Sequence, residues 1–534
     1  MAGPESRSDV LNLSVETNMR PQPPVVSPQE SISHVMELMT RENIGSVVVS
    51  ERDALLGIVT EKDILHKVLR LGKDPDLTLA NDAMSKPLIT IESDRTINEA
   101  LSLLEKHSIR RLAVTRGGLL IGLTTERRLL EIAHNNYLMH NQIAVQKTGG
   151  FDKKIRIGFI STYPPRECGI ATFTNHLTDA ISTFCTGAVK STFVVALNDK
   201  RESYAYENRV KYQIEADDHD SYENAAEYVN ASDIDVVSLQ HEFGIFGGKS
   251  GEYVNAFLSK VRKPVVTTLH TILEAPTDET RNVLETIIEK SDAIIVMATV
   301  GSTMLEQHYR CPPDKIRYIP HGCPNVPYIE TAMIKRGLGL QRRIVLSTFG
   351  LLSSGKGVEH AIEALPEIVP NHPDVLYLVI GETHPEVRKR EGEKYRQELL
   401  DKVDSLGLSK NVSFVNRFLT ENELISYLQA TDIYIIPYPN REQISSGTLS
   451  YALSAGKAIV TTPFLHAEEI IAKEAALGCQ FRDPRSIARS VTALIEDGKL
   501  LRKLSRNAYD YSRPMIWPNV AMNYVNSFYR SLGL

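Results

Sequence analysis

Arg343-Ile-Val-Leu-Ser-Thr-Phe349 runs directly into Gly350-Leu-Leu-Ser-Ser-Gly-Lys-Gly357, an apolar strand pattern followed by a glycine-rich loop with one lysine. Glycines let backbone N–H groups approach a phosphate, and Lys356 supplies a point charge beside Gly355. Farther along, Glu442-Gln-Ile-Ser-Ser-Gly-Thr-Leu449 places a carboxylate and then small residues before a helical pattern, whose N-terminus adds its dipole. Either element alone is weak. Together they read as a clamp for the diphosphate of a nucleotide sugar.

Around this clamp, short apolar runs alternate with helical patterns. In one half the runs are 155–160, 193–197, 236–239, 265–269, 293–296 and 317–319; in the other they are 344–348, 376–380, 412–415, 433–436 and 458–460. Buried parallel strands read as such continuous runs, with helices as crossovers. The fold class expected is α/β: two doubly wound Rossmann-like domains facing a cleft, with ligands at the carboxyl ends of the strands.

The 534 residues leave room for about three domains of roughly 100–200 residues. With 42% apolar and 24% charged residues, the composition is that of a globular protein. A net charge of −6 supplies no basic excess for phosphates, which argues against a nucleic-acid partner. No apolar run reaches the roughly 18 residues of a transmembrane segment, and the N-terminus lacks a signal-peptide pattern. The five cysteines (Cys168, Cys185, Cys311, Cys323 and Cys479) are odd in number and scattered, so reduced thiols and a cytoplasmic location are expected.

Ahead of the clamp-bearing part, residues 1–24 are polar and end in Pro21-Gln-Pro-Pro24, which reads as a flexible leader. Then comes a repeat. Ser46-Val-Val-Val-Ser50 and Gly57-Ile-Val-Thr-Glu-Lys-Asp-Ile64 are echoed by Arg110-Arg-Leu-Ala-Val-Thr115 and Gly122-Leu-Thr-Thr-Glu-Arg-Arg-Leu129, each copy following an amphipathic helix pattern (31–41 and 96–107). Repeated small units bury their faces against each other. The repeat resembles a tandem pair of cystathionine β-synthase (CBS) domains, at 25–72 and 82–135, the second entered through Asp82-Ala-Met-Ser-Lys-Pro87. The resemblance implies an AMP or ATP effector held by Thr60 and Asp63. It implies the same of Thr125, although Arg128 stands where the second copy's Asp would be. It also implies assembly as a homodimer or higher homo-oligomer. A pair that dimerises and binds nothing is the alternative. Residues 136–153 read as a linker.

Residues 153–534 resemble the retaining GT-B glycosyltransferases of family 4. The resemblance rests on Tyr163-Pro-Pro-Arg-Glu-Cys-Gly-Ile-Ala171 after the first strand, Val265-Val-Thr-Thr-Leu-His270, Ile319-Pro-His-Gly322 and Lys356, in that order. It implies an N-terminal acceptor domain (154–325), a C-terminal donor domain (326–510) and a last helix (511–534) crossing back, with Trp517 as packing. Glu442 matches the first carboxylate of the family's E-x7-E element and should bond the donor sugar's hydroxyls. The N–H groups of Ile444, Ser445, Ser446, Gly447 and Thr448, with Gly169 and Lys356, should meet the diphosphate, and His270 should position sugar or acceptor. Two departures stand out. Ser450 replaces the second carboxylate, and Leu351 replaces an arginine, whose charge Arg417 or Arg441 could restore.

Gln240-His-Glu-Phe-Gly-Ile-Phe-Gly-Gly248 puts His241 and Glu242 at a strand end before an aromatic, glycine-rich loop, suited to stacking on an acceptor or to packing between domains. Asp217-Asp-His-Asp220 contains a D-x-D but precedes a helix start, so capping explains it and no metal is expected. The combined expectation is a hexose transferase using GDP-mannose or UDP-glucose with no catalytic cofactor. A glycoside phosphorylase on the same fold, or a non-enzymatic adenylate-binding regulator, is the alternative.

Overall fold

The computed structural model describes residues 15, 19–21, 23–42, 44–52, 54–107, 109–125, 129, 153–199, 204–329 and 331–534. Arg128, the linker at 136–152 and most of the leader lie outside the described residues. The chain divides into two compact units, Met1–Thr148 and Gly149–Leu534.

The first unit holds strands β1 (Arg20–Pro21), β2 (Val25–Val26), β3 (Ser46–Glu51), β4 (Ala54–Thr60), β5 (Thr90–Glu92), β6 (Arg111–Arg116) and β7 (Leu119–Thr125), in sheets ordered β2-β3-β4 and β1-β7-β6-β5. The repeat is exact in register: Ser46 pairs with Thr60 and Arg111 with Thr125, and each hairpin shifts register at the matching place, Val49/Ser50 and Val114/Thr115. Helix Ile32–Arg41 buries Ile32, Val35, Leu38 and Met39, one face of a 3.6-residue period, on β3 and β4. The leader is not free at its described residues. Val15 donates its N–H to the Arg95 carbonyl at 2.8 Å, and Arg20–Pro21 pairs with Leu123 and Gly122. An edge strand tolerates the proline. Gly122 makes the seat, since a Cβ there would stand 2.0 Å from Met19 Sδ.

The second unit holds two wholly parallel sheets. β8 (Ile155–Ser161), β9 (Val189–Asn198), β10 (Val210–Glu215), β11 (Val236–His241), β12 (Val265–Leu269), β13 (Ala293–Val296) and β14 (Ile316–Tyr318) lie in the order β10-β9-β8-β11-β12-β13-β14. β15 (Ile344–Phe349), β16 (Val375–Ile380), β17 (Val412–Val415), β18 (Ile433–Ile436), β19 (Ala458–Thr461) and β20 (Leu477–Gly478) lie in the order β17-β16-β15-β18-β19-β20. The two Rossmann-like domains are those read from the apolar runs, with β10 and β20 added. An aspartate just ahead of a strand recurs as a clamp on its neighbour. Asp235, Asp292 and Asp432 accept the N–H of Arg156, Val265 and Val345 at 2.8, 2.7 and 2.7 Å.

The C-terminal helix Trp517–Ser531 packs on the first of these sheets and on helix Gly169–Phe184. Tyr524 Oη lies 2.9 Å from Thr268 Oγ1, and Phe528 meets Phe159 edge-on at 6.5 Å. No helix among the described residues is long and apolar enough to cross a membrane.

Candidate functional site

Each sheet reverses its winding between adjacent strands, β8/β11 and β15/β18, and ligands of open parallel sheets bind where the connections diverge. After β15 the chain passes through Gly350, φ +133°, into a 3-10 turn at Ser354–Lys356. Gly357, φ +65°, admits no side chain, because a Cβ would stand 2.0 Å from the Pro437 carbonyl oxygen. That approach locks the loop to the end of β18.

Lys356 Nζ thereby reaches Tyr438 Oη at 3.1 Å and lies 4.7 Å from the ring centroid. The same phenol oxygen is 2.9 Å from Thr448 Oγ1 and 3.3 Å from Ser446 Oγ. Ser446 caps helix Gly447–Ser454, its hydroxyl accepting the Leu449 N–H at 3.3 Å. Gly447 and Thr448 occupy the first turn, where a helix has no internal partner for its N–H groups. An ammonium, three hydroxyls and a helix N-terminus therefore form one contact network, a combination that suits a diphosphate.

Not every expected donor takes part. The Ser446 N–H is satisfied by Nδ1 of buried His466 at 3.2 Å, and burial holds that imidazole neutral, its pKa lowered to about 4. Ile444 is buried in the core of the first Rossmann domain, and Ser445 Oγ donates to the His270 carbonyl at 3.2 Å, so these two residues join the halves. Glu442 is exposed and makes no hydrogen bond or ion pair among the described residues, which leaves its carboxylate open to sugar hydroxyls. Gly355 and Gly169 both face open space, with only Ser353 Oγ, at 3.6 Å, near a Cβ on Gly355. Ser450 is buried, and its hydroxyl donates to the Ser446 carbonyl at 3.2 Å within the helix. Both arginines that could restore the charge expected at Leu351 are paired with carboxylates. Arg417 is paired with Glu423 at 2.8 Å, because Glu423 is the capping-box carboxylate of the next helix. Arg441 is paired with Glu274 and Glu468 at 2.7 and 3.0 Å.

On the facing side, Cys168 caps helix Gly169–Phe184, its sulfur 3.3 Å from the Ala171 N–H. One turn on, Phe173 meets His270 and His321 edge-on at 4.9 and 5.1 Å. His270 Nε2 lies 3.0 Å from Gln240 Oε1. Gln240 donates its amide to Ser238 at 3.1 Å, so the glutamine oxygen accepts and His270 carries its proton on Nε2. Burial, with His321 and His241 nearby, lowers the His270 pKa to about 3. His321 Nδ1 lies 2.8 Å from the Gly322 carbonyl, and its ring borders Gly447, where a Cβ would stand 3.2 Å from Nε2.

His241 and Glu242, expected as acceptor contacts, differ in their surroundings. His241 is wholly buried, stacked on Phe246 at 5.6 Å and met edge-on by Phe243 at 4.9 Å, so it packs the loop rather than facing solvent. Glu242 is half-buried. Its carboxylate accepts from Thr271 at 2.5 Å, and burial raises its pKa despite that bond and the Phe243 and Gly244 N–H groups. The D-x-D is a cap: Asp218 accepts the Asp220 N–H at 3.1 Å at the start of helix His219–Ala231. Sequence reasoning passed over Tyr438, His466 and His321. The only signal for the first was a phenol just beyond a buried strand, and His321 lay in the quoted Pro-His-Gly.

In the first unit, Thr60 and Asp63 form a capping box at the start of helix Glu61–Lys67. Asp63 Oδ1 also accepts from Lys67 and Ser85, each at 2.7 Å, and Oδ2 accepts the Thr60 N–H and hydroxyl at 3.0 and 2.6 Å. Both carboxylate oxygens are thus occupied, and a ribose hydroxyl would have to displace Lys67 or Ser85. Thr125 ends β7 as Thr60 ends β4.

The family model of the CBS domain matches residues 10–70 and 80–135, and that of the glycosyl transferases group 1 matches residues 330–511. CBS domain-containing protein YhcV of Bacillus subtilis is 31% identical over 110 residues, 21% of this chain and 78% of that protein. The chain belongs to the CBS-domain family and carries a group 1 glycosyltransferase domain. The uncharacterized proteins MK0525 of Methanopyrus kandleri and MJ0450 of Methanocaldococcus jannaschii are 43% and 36% identical over 108 and 115 residues, 20% and 21% of this chain. The chain spans 55% and 62% of the length of these two relatives.

Beyond the CBS pair, the likeness is structural. HepE of Anabaena, solved with UDP, superposes with a TM-score of 0.56 at 15% identity over 70% of this chain and all 100% of that one. Sucrose-phosphate synthase of Thermosynechococcus elongatus gives 0.58 at 17% identity over 71% and 99%. At such identities the likeness shows the fold alone: the transferase part of the CBS-domain chain has the GT-B fold.

Proposed function

We propose that the chain is a retaining glycosyltransferase that moves a hexose from a nucleoside diphosphate sugar to a carbohydrate or small-molecule acceptor, under control of an adenine nucleotide at its CBS pair. The observation that carries this reading is the network of Lys356, Tyr438, Ser446 and Thr448 where β15 and β18 diverge. The matched group 1 domain contains all of it, and HepE, of the same fold, is described in complex with UDP and with UDP-glucose.

In this reading the leaving diphosphate gathers negative charge as the glycosidic bond breaks. Lys356 and the first-turn N–H groups of Gly447 and Thr448 stabilise that charge, with Gly169 opening the facing helix terminus, and fixed donors in a closed cleft do so without reorganisation. Glu442 holds the donor's hydroxyls. His270 stays neutral and presents Nδ1, so it orients by hydrogen bonding rather than by charge. Retention follows if the acceptor attacks from the face the diphosphate leaves, with a phosphate oxygen taking the acceptor's proton. GDP-mannose and UDP-glucose are the two donors proposed. The CBS pair would bind AMP or ATP through Thr60, Asp63 and Thr125 and join chains as a homodimer.

The test is nucleoside diphosphate release from a panel of nucleotide sugars, with and without AMP or ATP and with a mixed carbohydrate acceptor. Release from one donor, changed by adenylate, supports the whole reading. Turnover only with inorganic phosphate and a glycoside would replace it with a phosphorylase.

A further inference from the structure

Tyr438 follows β18 through Pro437 and is 5% exposed. Its ring is fixed from behind: Phe464 lies at 5.0 Å, and Thr462 Oγ1 donates to the Tyr438 carbonyl at 2.8 Å. Its oxygen is the hub of the cradle, 3.1 Å from Lys356 Nζ, 2.9 Å from Thr448 Oγ1 and 3.3 Å from Ser446 Oγ. Those two hydroxyls are themselves 3.1 Å apart. An ammonium only donates, so the phenol oxygen accepts from Lys356 and its own proton is available to Thr448 or Ser446. One of the three lysine N–H groups is used, and two remain. Gly350 keeps the space open, since a Cβ there would lie 3.3 Å from Thr448 Cγ2 and 3.9 Å from Lys356 Cε.

We propose that Tyr438 is a positioning residue of the diphosphate site, tying the Lys356 ammonium to the Ser446–Thr448 helix terminus so that turn and helix present one preassembled anion cradle. The inference rests on the donor reading above and adds a residue and a pH dependence to it. A loose lysine loses rotamer freedom when it engages a phosphate, and a lysine already held by a buried phenol has lost it beforehand.

The charge of the cradle follows from the same contacts. Burial pushes the Tyr438 phenol up, but Lys356 and the hydroxyls of Ser446 and Thr448 outweigh burial and bring it below its ordinary value. The other titratable groups nearby are Tyr434 on β18 and His384, which faces Lys356; Phe464 brings none. With the phenol protonated the Lys356–Tyr438 pair carries one positive charge. Once the phenol ionises the pair is neutral. Affinity for a diphosphate therefore falls as pH rises through the Tyr438 titration.

The experiment titrates the full chain calorimetrically with UDP, GDP and inorganic pyrophosphate, at neutral pH and at about pH 9.5. Tyr438→Phe is expected to weaken the probe that wild type binds by about tenfold at neutral pH, the loss of one hydrogen bond to a charged group. It should also abolish the alkaline decline while leaving the melting temperature unchanged. A second readout needs no ligand. The earliest tyrosinate absorbance in a pH titration should vanish in Tyr438→Phe and move to higher pH in Lys356→Met. Wild type that binds a probe equally well as Tyr438→Phe at both pH values overturns the cradle alone, as does a tyrosinate titration indifferent to Lys356→Met. Wild type that binds none of the three probes overturns the donor reading and the cradle with it.

Discussion

One nitrogen of Arg441, Nη1, sits 2.8 and 2.7 Å from the two carboxylate oxygens of Glu274, bridging the two Rossmann domains beside the Glu442 loop. Arg441 Nε adds Glu468 of its own domain at 3.0 Å. Across the cleft, Arg388 reaches Glu167 at 3.8 Å and Lys389 reaches Asp199 at 3.7 Å, again from the second domain to the first. The Arg441 and Arg388 pairs are well exposed, so each contributes at most about 1 kcal/mol to stability, while Asp199 is largely covered. Their effect is on closure. Arg441→Ala should leave the melting temperature nearly unchanged, raise KM for the donor several-fold and flatten its salt dependence. Steady-state kinetics across a salt series, with small-angle scattering for domain separation, checks this.

Lys356→Ala removes the only cation in the cradle. Removing one preorganised donor for developing charge typically lowers turnover about 100- to 1,000-fold. The side chain is half-buried, and its named contacts are with Tyr438 alone, so folding should be retained. Diphosphate release measured beside a circular-dichroism melt separates the two effects. Near-normal turnover would remove Lys356 from the chemistry.

The inner strands of the transferase part were legible because β11, β12, β13, β18 and β19 are buried along their whole length and read as continuous, mostly apolar runs. β12, β13, β17 and β18 lie at the limits the runs gave. β10, Val-Lys-Tyr-Gln-Ile-Glu, was missed because it is an edge strand alternating exposed polar and buried positions, and β20 because it has two residues. Within the site, Lys356 and Gly357 were legible from loop chemistry. Tyr438 and His466 were not, because their roles depend on contacts between strand ends that no local spacing encodes. Arg417 is not free, because Glu423 pairs with it and caps the next helix at once, a contact that local spacing did not flag.

Ser450 stands where the resemblance implies a second carboxylate. It is fully buried and its hydroxyl returns to the Ser446 carbonyl, so the helix start is packed around this position. Ser450→Ala should be nearly neutral, within about 1 kcal/mol, because the lost bond is a helix back-bond. Ser450→Glu should destabilise the fold by roughly 3 kcal/mol or more, since it buries a carboxylate with no cation beside it. Urea denaturation of both variants decides this. A stable Ser450→Glu with tighter donor binding would mean the helix start opens to the ribose.

Stability should fall steeply in mild acid because of the buried histidines. Burial lowers His241 and His270 to about 3 and His321 and His466 to about 4, against an ordinary value of about 6.5. All four are neutral in the folded chain, while in the unfolded chain they take protons from about pH 6.5 downward. A depressed folded pKa gives stability that is complete above the unfolded value and is lost as pH falls towards the folded one. Each such histidine contributes up to about 1.4 kcal/mol per pH unit in that window. The window runs from about 6.5 to about 4, and His466 carries a structural penalty as well, because protonation of Nδ1 removes the acceptor that holds the Ser446 N–H. Melting temperatures measured from neutral pH to about 4.5 should drop along this limb, less steeply in His466→Gln than in wild type. The donor-release rate, corrected for folded protein, should show no inflection near 6.5, because His270 does not titrate there.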